Sequence, residues 1–115
     1  MSDFKETNTF EKRQNESKRI RSKHPDRIPI IVNKCKGDRL PDIDKQKYLV
    51  PNEMSIGQFM YIIRKRIKLD PNQALFVMVN KTLQSSSRSV VDIYEDCCDD
   101  DGFLYLTYSS ENTFG

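Results

Sequence analysis

Few residues of this 115-residue chain are equipped for covalent chemistry. His24 is the single histidine and sits beside Pro25 in a basic stretch. Three cysteines, Cys35, Cys97 and Cys98, show no regular spacing, and two of them are adjacent. Nucleophilic catalysis needs a thiol or hydroxyl set against a base that a third group orients. His24 and the cysteines do not suggest that arrangement, and no enzyme is expected. Cys97-Cys98-Asp99-Asp100-Asp101 is rich in donor atoms but lacks the separated ligands of a zinc site or a calcium loop. Neither metal nor cofactor is expected. The remaining candidate is the last residue. Gly115 follows the polar run Ser109-Ser110-Glu111-Asn112-Thr113-Phe114, and a residue without Cβ can enter a narrow channel at no steric cost. Its carboxylate could be adenylated, passed to a thiol as a thioester and joined to an amine. About one chain in fourteen ends in glycine by composition alone. Gly115 therefore takes its meaning from the domain before it.

That domain reads as a series of short elements. Asp3 with Glu6, and Thr9 before Phe10, are helix starts. They predict helices over 3–8 and 10–23, the second ended by Pro25. Phe4, Phe10 and Ile20 are too sparse to form a core, so this pair must lean on another surface. The β-branched run Ile28-Pro29-Ile30-Ile31-Val32 predicts a strand, with Pro29 at a position that donates no ladder bond. A polar link with Gly37-Asp38 and Pro41-Asp42 leads to a short strand over 47–50, stopped by Pro51. Ser55 and Gln58 form a capping box, and Ile56, Phe59, Met60, Ile63 and Ile67 share one helical face. The basic cluster Arg64-Lys65-Arg66-Lys68 suits a helix C-terminus, and Asp70-Pro71 closes it. Leu75 to Val79 predicts a strand covered on both faces. A serine-rich loop, a helix over 89–97 and a strand over 103–108 complete the chain.

The order α-α-β-β-α-β-α-β is an α+β arrangement. It is the order of the ubiquitin-like β-grasp, with a four-stranded mixed sheet and two added N-terminal helices. Two apolar sheet faces need two cover layers: the central helix for one, the N-terminal pair for the other. The expected divisions are a two-helix extension over 1–26, the β-grasp domain over 27–108 and a flexible tail over 109–115.

Composition limits the setting. The chain is 37% hydrophobic and 31% charged, with no long apolar run and no signal-like leader. Together with the irregular cysteines, this leads to the expectation of a reducing cytosolic or nuclear location. Net charge is +2, but residues 1–70 hold 17 Lys/Arg against 10 Asp/Glu, and residues 71–115 hold 2 against 7. The first part should attract acidic partners or anionic headgroups.

Several ordered blocks then carry a resemblance. They are Phe10-Glu11-Lys12-Arg13, Pro25-Asp26-Arg27-Ile28-Pro29, and Asp44-Lys45-Gln46-Lys47-Tyr48-Leu49-Val50-Pro51. Gly57-Gln58-Phe59, Arg64-Lys65-Arg66-Ile67, Ala74-Leu75-Phe76, Asp101-Gly102-Phe103-Leu104-Tyr105 and Phe114-Gly115 extend them. Over essentially its whole length the chain resembles the ubiquitin-like autophagy modifiers, the family of the GABA-A receptor-associated proteins and the microtubule-associated protein light-chain-three group. It departs from the pattern in the proline-free Asn80–Ser89 loop, in Cys97-Cys98, and in ending at Gly115, where many members carry a tail that a cysteine protease removes.

The resemblance implies a modifier joined through Gly115 to phosphatidylethanolamine by ubiquitin-like activating and conjugating enzymes. It implies a cytoplasmic protein that becomes associated with the autophagosome membrane, and a processing and delipidating cysteine protease. It also implies recognition of cargo receptors through short aromatic-x-x-Leu/Ile/Val motifs added as an extra strand. By similarity, Glu16, Ile20, Pro29, Ile31, Lys47, Leu49 and Phe103 line an aromatic pocket. Tyr48, Val50, Pro51, Met54, Phe59 and Ile62 line an aliphatic one. Arg27, Lys45, Lys47 and Arg66 meet acidic residues flanking the motif. Two buried anchors at about 1.5–3 kcal/mol each, less association costs, put the expected affinity at about micromolar. The basic N-terminal helices suggest the acidic tails of tubulin as a further partner, and no nucleic acid. A ubiquitin-like binding module that is never conjugated, or a basic microtubule-associated module, are the alternatives. Taken alone, Ile31, Phe59 and Ile62 also read as plain core, and Lys45 and Lys47 as a solvated edge.

Overall fold

The structure, a computed structural model, describes residues 3–111. Helix α1 (Phe4–Thr7) is capped by the Asp3 carboxylate, and α2 (Phe10–Lys23) by the Thr9 hydroxyl. Strands β1 (Arg27–Lys34) and β2 (Lys47–Pro51) form an antiparallel pair. Helix α3 (Ile56–Arg66) starts with the full reciprocal capping box of Ser55 and Gln58. Strands β3 (Phe76–Val79) and β4 (Thr82–Leu83), helix α4 (Val90–Cys97) and strand β5 (Leu104–Ser109) follow. The sheet order is β2-β1-β5-β3-β4, with β1 and β5 parallel at the centre.

The sheet therefore has five strands where four were expected. The extra one is a two-residue hairpin partner across Asn80 and Lys81, both with positive φ (51° and 64°). Two left-handed residues in succession make the tight turn whose twist matches a hairpin, and asparagine adopts that conformation more readily than most residues. This settles the backbone of the first part of the proline-free loop.

Alternation along the strands separates two layers. Ile28, Ile30, Val32, Leu104, Leu106 and Tyr108 join the core beneath α3 and α4. Ile31 and Phe103 point the other way, to Phe4 and Ile20 of the N-terminal helices. Phe4 and Phe103 meet edge to face at 5.3 Å. Phe10, expected to lean on the sheet, is instead 45% exposed and lies beside Arg13, 5.5 Å from its guanidinium. Pro29 pairs with Leu49 while the β1–β5 pairing begins only at Ile30. The neighbouring Val32 N–H points to the β2 side, bonding Gln46 O at 2.8 Å. By alternation, the donor Pro29 lacks would have faced β5 before that pairing starts.

The N-terminal pair is fastened by a buried polar knot. Arg13 Nη1 donates to Asp101 Oδ2 at 2.6 Å, and the Tyr105 hydroxyl donates to the same oxygen at 2.5 Å. Phe103 N–H donates to Oδ1 at 2.8 Å, and the Ser17 hydroxyl bonds the Asp101 carbonyl. Burial, then the hydrogen bond to Asp101, raise the Tyr105 phenol well above its ordinary pKa. Gly102, at φ +89°, sits where a Cβ would collide with the Ser17 side chain, so α2 approaches β5 closely only over glycine.

The expected boundary of the tail also moves. Ser109 is the last residue of β5 and is buried. Gly115 lies outside the described residues.

Candidate functional site

Strand β2 is the sheet edge on which the expected groove residues converge. Among the described residues it pairs with β1 alone. Its alternating side chains divide between the two layers. Tyr48 and Val50 are buried in the α3-side core, where Tyr48 meets Phe59 edge to face at 5.4 Å. Lys47 and Leu49 occupy the opposite face. Lys47 Nζ forms an ion pair with Glu16 of α2 and lies 5.7 Å from the centre of the Phe4 ring. Leu49 is 37% exposed.

The structure thus brings the aromatic-pocket residues together between α2 and β2, but in two depths. Pro29, Ile31 and Phe103 are closed off as a floor, Ile20 is nearly so, and Phe4 covers part of them. Glu16, Lys47 and Leu49 form the accessible rim. The aliphatic residues gather between β2 and α3 with the same layering. Tyr48, Val50 and Phe59 are buried, Met54 and Ile62 are half-buried, and Pro51 is exposed. Ile31 and Phe59 are fully buried core residues, as their types taken alone suggested.

The four cations differ in their freedom. Arg66 is held in a two-pronged pair by Asp44, at 3.1 Å through Nε and 3.0 Å through Nη2. Lys47 is bound to Glu16. Lys45 lies over the Tyr48 ring at 5.1 Å, and Arg27 Nη1 is 3.4 Å from the Leu49 carbonyl. A ligand carboxylate would find Lys45 and Arg27 first and would share Lys47 and Arg66 with their partners. Burial pushes the Tyr48 phenol up, and it stays neutral at ordinary pH. The packing of Phe4 beside the expected aromatic-pocket residues and the Glu16–Lys47 pair are features that sequence reasoning missed or left unlinked. The helix content of residues 3–8 was the only available signal.

The other chemical candidates are scattered. His24 is the exposed cap residue of α2, its N–H bonded to Ile20 O at 2.7 Å. Cys35, Cys97 and Cys98 are all free thiols. Burial, then Asp99 and Asp100, raise the Cys98 thiol, which disfavours the reactive thiolate. Among the described residues no His/Cys/Asp/Glu group is arranged to hold a metal ion, and no helix is long and apolar enough to cross a membrane. In α2, Arg13 is committed to Asp101 and Arg21 to the Arg27 carbonyl at 2.7 Å, so fewer of its cations are available to an acidic partner than its composition suggests.

Comparison with known proteins bears on the fold and the family. The chain is 54% identical over 112 residues to autophagy-related protein 8e of Arabidopsis thaliana, covering 97% of this chain and 92% of that one. It is 53% identical over 112 residues to autophagy-related protein 8 of Mycosarcoma maydis, covering 97% and 95%. The crystal structure of Trypanosoma brucei ATG8 superposes with a TM-score of 0.89 at 43% identity, covering 95% of this chain and 94% of that one. The family profile described as autophagy protein Atg8, ubiquitin-like, matches residues 12–115. This chain belongs to the Atg8 family of ubiquitin-like autophagy proteins.

Proposed function

We propose that the chain is a conjugated modifier that recruits peptides at the β2 edge. Gly115 is joined to phosphatidylethanolamine, and the membrane-held domain then binds cargo receptors and adaptors through aromatic-x-x-Leu/Ile/Val motifs. The observation that carries the recruiting half is the division of β2 between two faces. In an extended peptide, residues three apart point to opposite sides. A peptide added beside β2 would turn its aromatic residue toward Lys47, Leu49 and α2. Its aliphatic residue, about 10 Å further on, would turn toward Met54, Ile62 and α3. Backbone bonds to the free edge supply affinity that is indifferent to sequence, and the two pockets supply the choice.

The conjugating half is supported by family membership and by the chemistry of a terminal glycine carboxylate. A single acyl chain gives marginal membrane binding, whereas two chains anchor stably. A diacyl lipid therefore moves a soluble domain to the autophagosome surface, and amide hydrolysis by a cysteine protease returns it to the cytoplasm. The test is incubation with the family's activating and conjugating enzymes, ATP and phosphatidylethanolamine liposomes, followed by mass spectrometry. A lipid adduct on Gly115 is expected in the native chain. Gly115→Ala should abolish it while peptide binding persists. A native chain that is never modified would leave only the non-conjugated binding module.

A further inference from the structure

We propose that Asp38 is a positioning residue for the carboxyl-terminal segment: it pins Ser110 to the β1–β2 connection and fixes where the segment bearing Gly115 leaves the fold. The role rests on the conjugation reading above.

The β3–β5 pairing ends at Phe76 and Ser109, so Ser110 is the first residue beyond the sheet. Its bonds come from a loop more than seventy residues earlier in the chain. Asp38 Oδ2 accepts the Ser110 N–H at 2.8 Å and the Ser110 hydroxyl at 3.0 Å. Ser109 Oγ lies 2.8 Å from the same oxygen and 2.9 Å from the Glu111 carbonyl. Its single proton serves one acceptor at a time, and the carboxylate is the stronger. Asp38 Oδ1 accepts the Leu40 N–H at 2.9 Å, which fixes the carboxylate within its own loop. That loop is held independently. Leu40 and Ile43 are buried in the core, and the Tyr108 hydroxyl donates to Pro41 O at 2.6 Å. The exposed Arg39–Glu111 pair, at 3.9 Å, adds little.

The domain therefore does not need Asp38 to close its core, but the departure of the tail does. Through Ser110, Asp38 sets the point from which the chain leaves the sheet. An enzyme that must thread the tail into a channel meets fewer orientations when the exit is fixed. The advantage falls on KM, because the reacting carboxylate itself is unchanged. The latch stays closed across the neutral range. Burial raises the Asp38 pKa, but the Leu40 and Ser110 N–H groups and the two hydroxyls outweigh it and hold the carboxyl at about 2. A depressed carboxyl stabilises fully above its unfolded value of about 4 and loses the effect as pH falls through about 2.

The experiment compares native chain, Asp38→Ala and Ser110→Glu. The second variant breaks the latch by charge repulsion without altering the loop, and serves if the first folds poorly. Amide exchange reports Ser110, single-turnover thioester formation with the activating enzyme gives KM and kcat, and an aromatic-x-x-Leu peptide reports the groove. Both variants should lose Ser110 protection and raise KM about fivefold, the lower end of the cost of ordering one residue. The kcat and the peptide affinity should stay unchanged. Free exchange of the Ser110 amide in the native chain would overturn the latch. Lost protection with an unchanged KM would overturn its positioning role. A native chain with a protected Ser110 that is never charged at Gly115 would instead overturn the conjugation reading, and the role with it.

Discussion

The two faces of the sheet are covered by different physics. On the α3 side, twenty buried apolar residues among those described form one continuous cluster. On the side of α1 and α2 there are four, and the attachment is completed by Arg13, Ser17, Asp101 and Tyr105. Apolar burial is non-directional and strengthens with area. A hydrogen-bonded ion pair adds little net stability against an apolar replacement, yet it fixes orientation and is costly to break. The α3 face thus holds the fold together, and the α2 face sets a helix at a defined height over β2. The accessible residues expected to line the aromatic pocket lie on that second face, where Glu16 and Lys47 are joined by an ion pair.

The largest expected effect tests the apolar face. Phe59→Ala should cost about 3–5 kcal/mol, read as a drop in urea midpoint with cooperative loss of the whole sheet. Asp101→Ala should come next, at about 3 kcal/mol, because it strands Arg13 in a buried site. Its signature should be local: amide exchange rising in α2 while β1 and β5 stay protected. The double variant Arg13→Met with Asp101→Ala should recover part of the loss. A global transition with no α2 signature would show that the two faces are not separable. The smallest effect on stability belongs to Leu49→Ala, within about 0.5 kcal/mol for a side chain this exposed. It should nevertheless weaken an aromatic-x-x-Leu peptide by about 1–2 kcal/mol in a calorimetric titration. Unchanged peptide affinity would misplace the groove.

What the sequence disclosed follows the same division. Signals that act over three or four residues were legible: the Asp3, Thr9 and Ser55 caps, the apolar face from Ile56 to Ile67, and the β-branched run after Arg27. The need for two cover layers followed from two apolar sheet faces, whereas the side to which each strand residue points came from the fold. The polar knot could not. Arg13 and Asp101 are 88 positions apart, and neither residue type signals burial. The Asp38 contacts are hidden for the same reason, as is the seat of Phe4. Strand β4 was missed because two residues have no periodicity, and its signal was the turn at Asn80. Phe10 misled in the other direction: an aromatic at the first position of a helix suggested packing, but that position faces solvent. For the expected groove, family resemblance supplied the candidate members, and the depth of each had to come from the fold.

The free length of β2 has one more consequence. An unpaired strand edge is also a template for its own copy. Antiparallel pairing of two such edges about Leu49 would set Lys47 of each against Pro51 of the other. Each end would then confine an ammonium group opposite a residue with no N–H to offer. The opposite edge, β4, is two exposed residues long and too short to seed a ladder. Pairing of two β2 edges about Leu49 is therefore disfavoured at both of its ends.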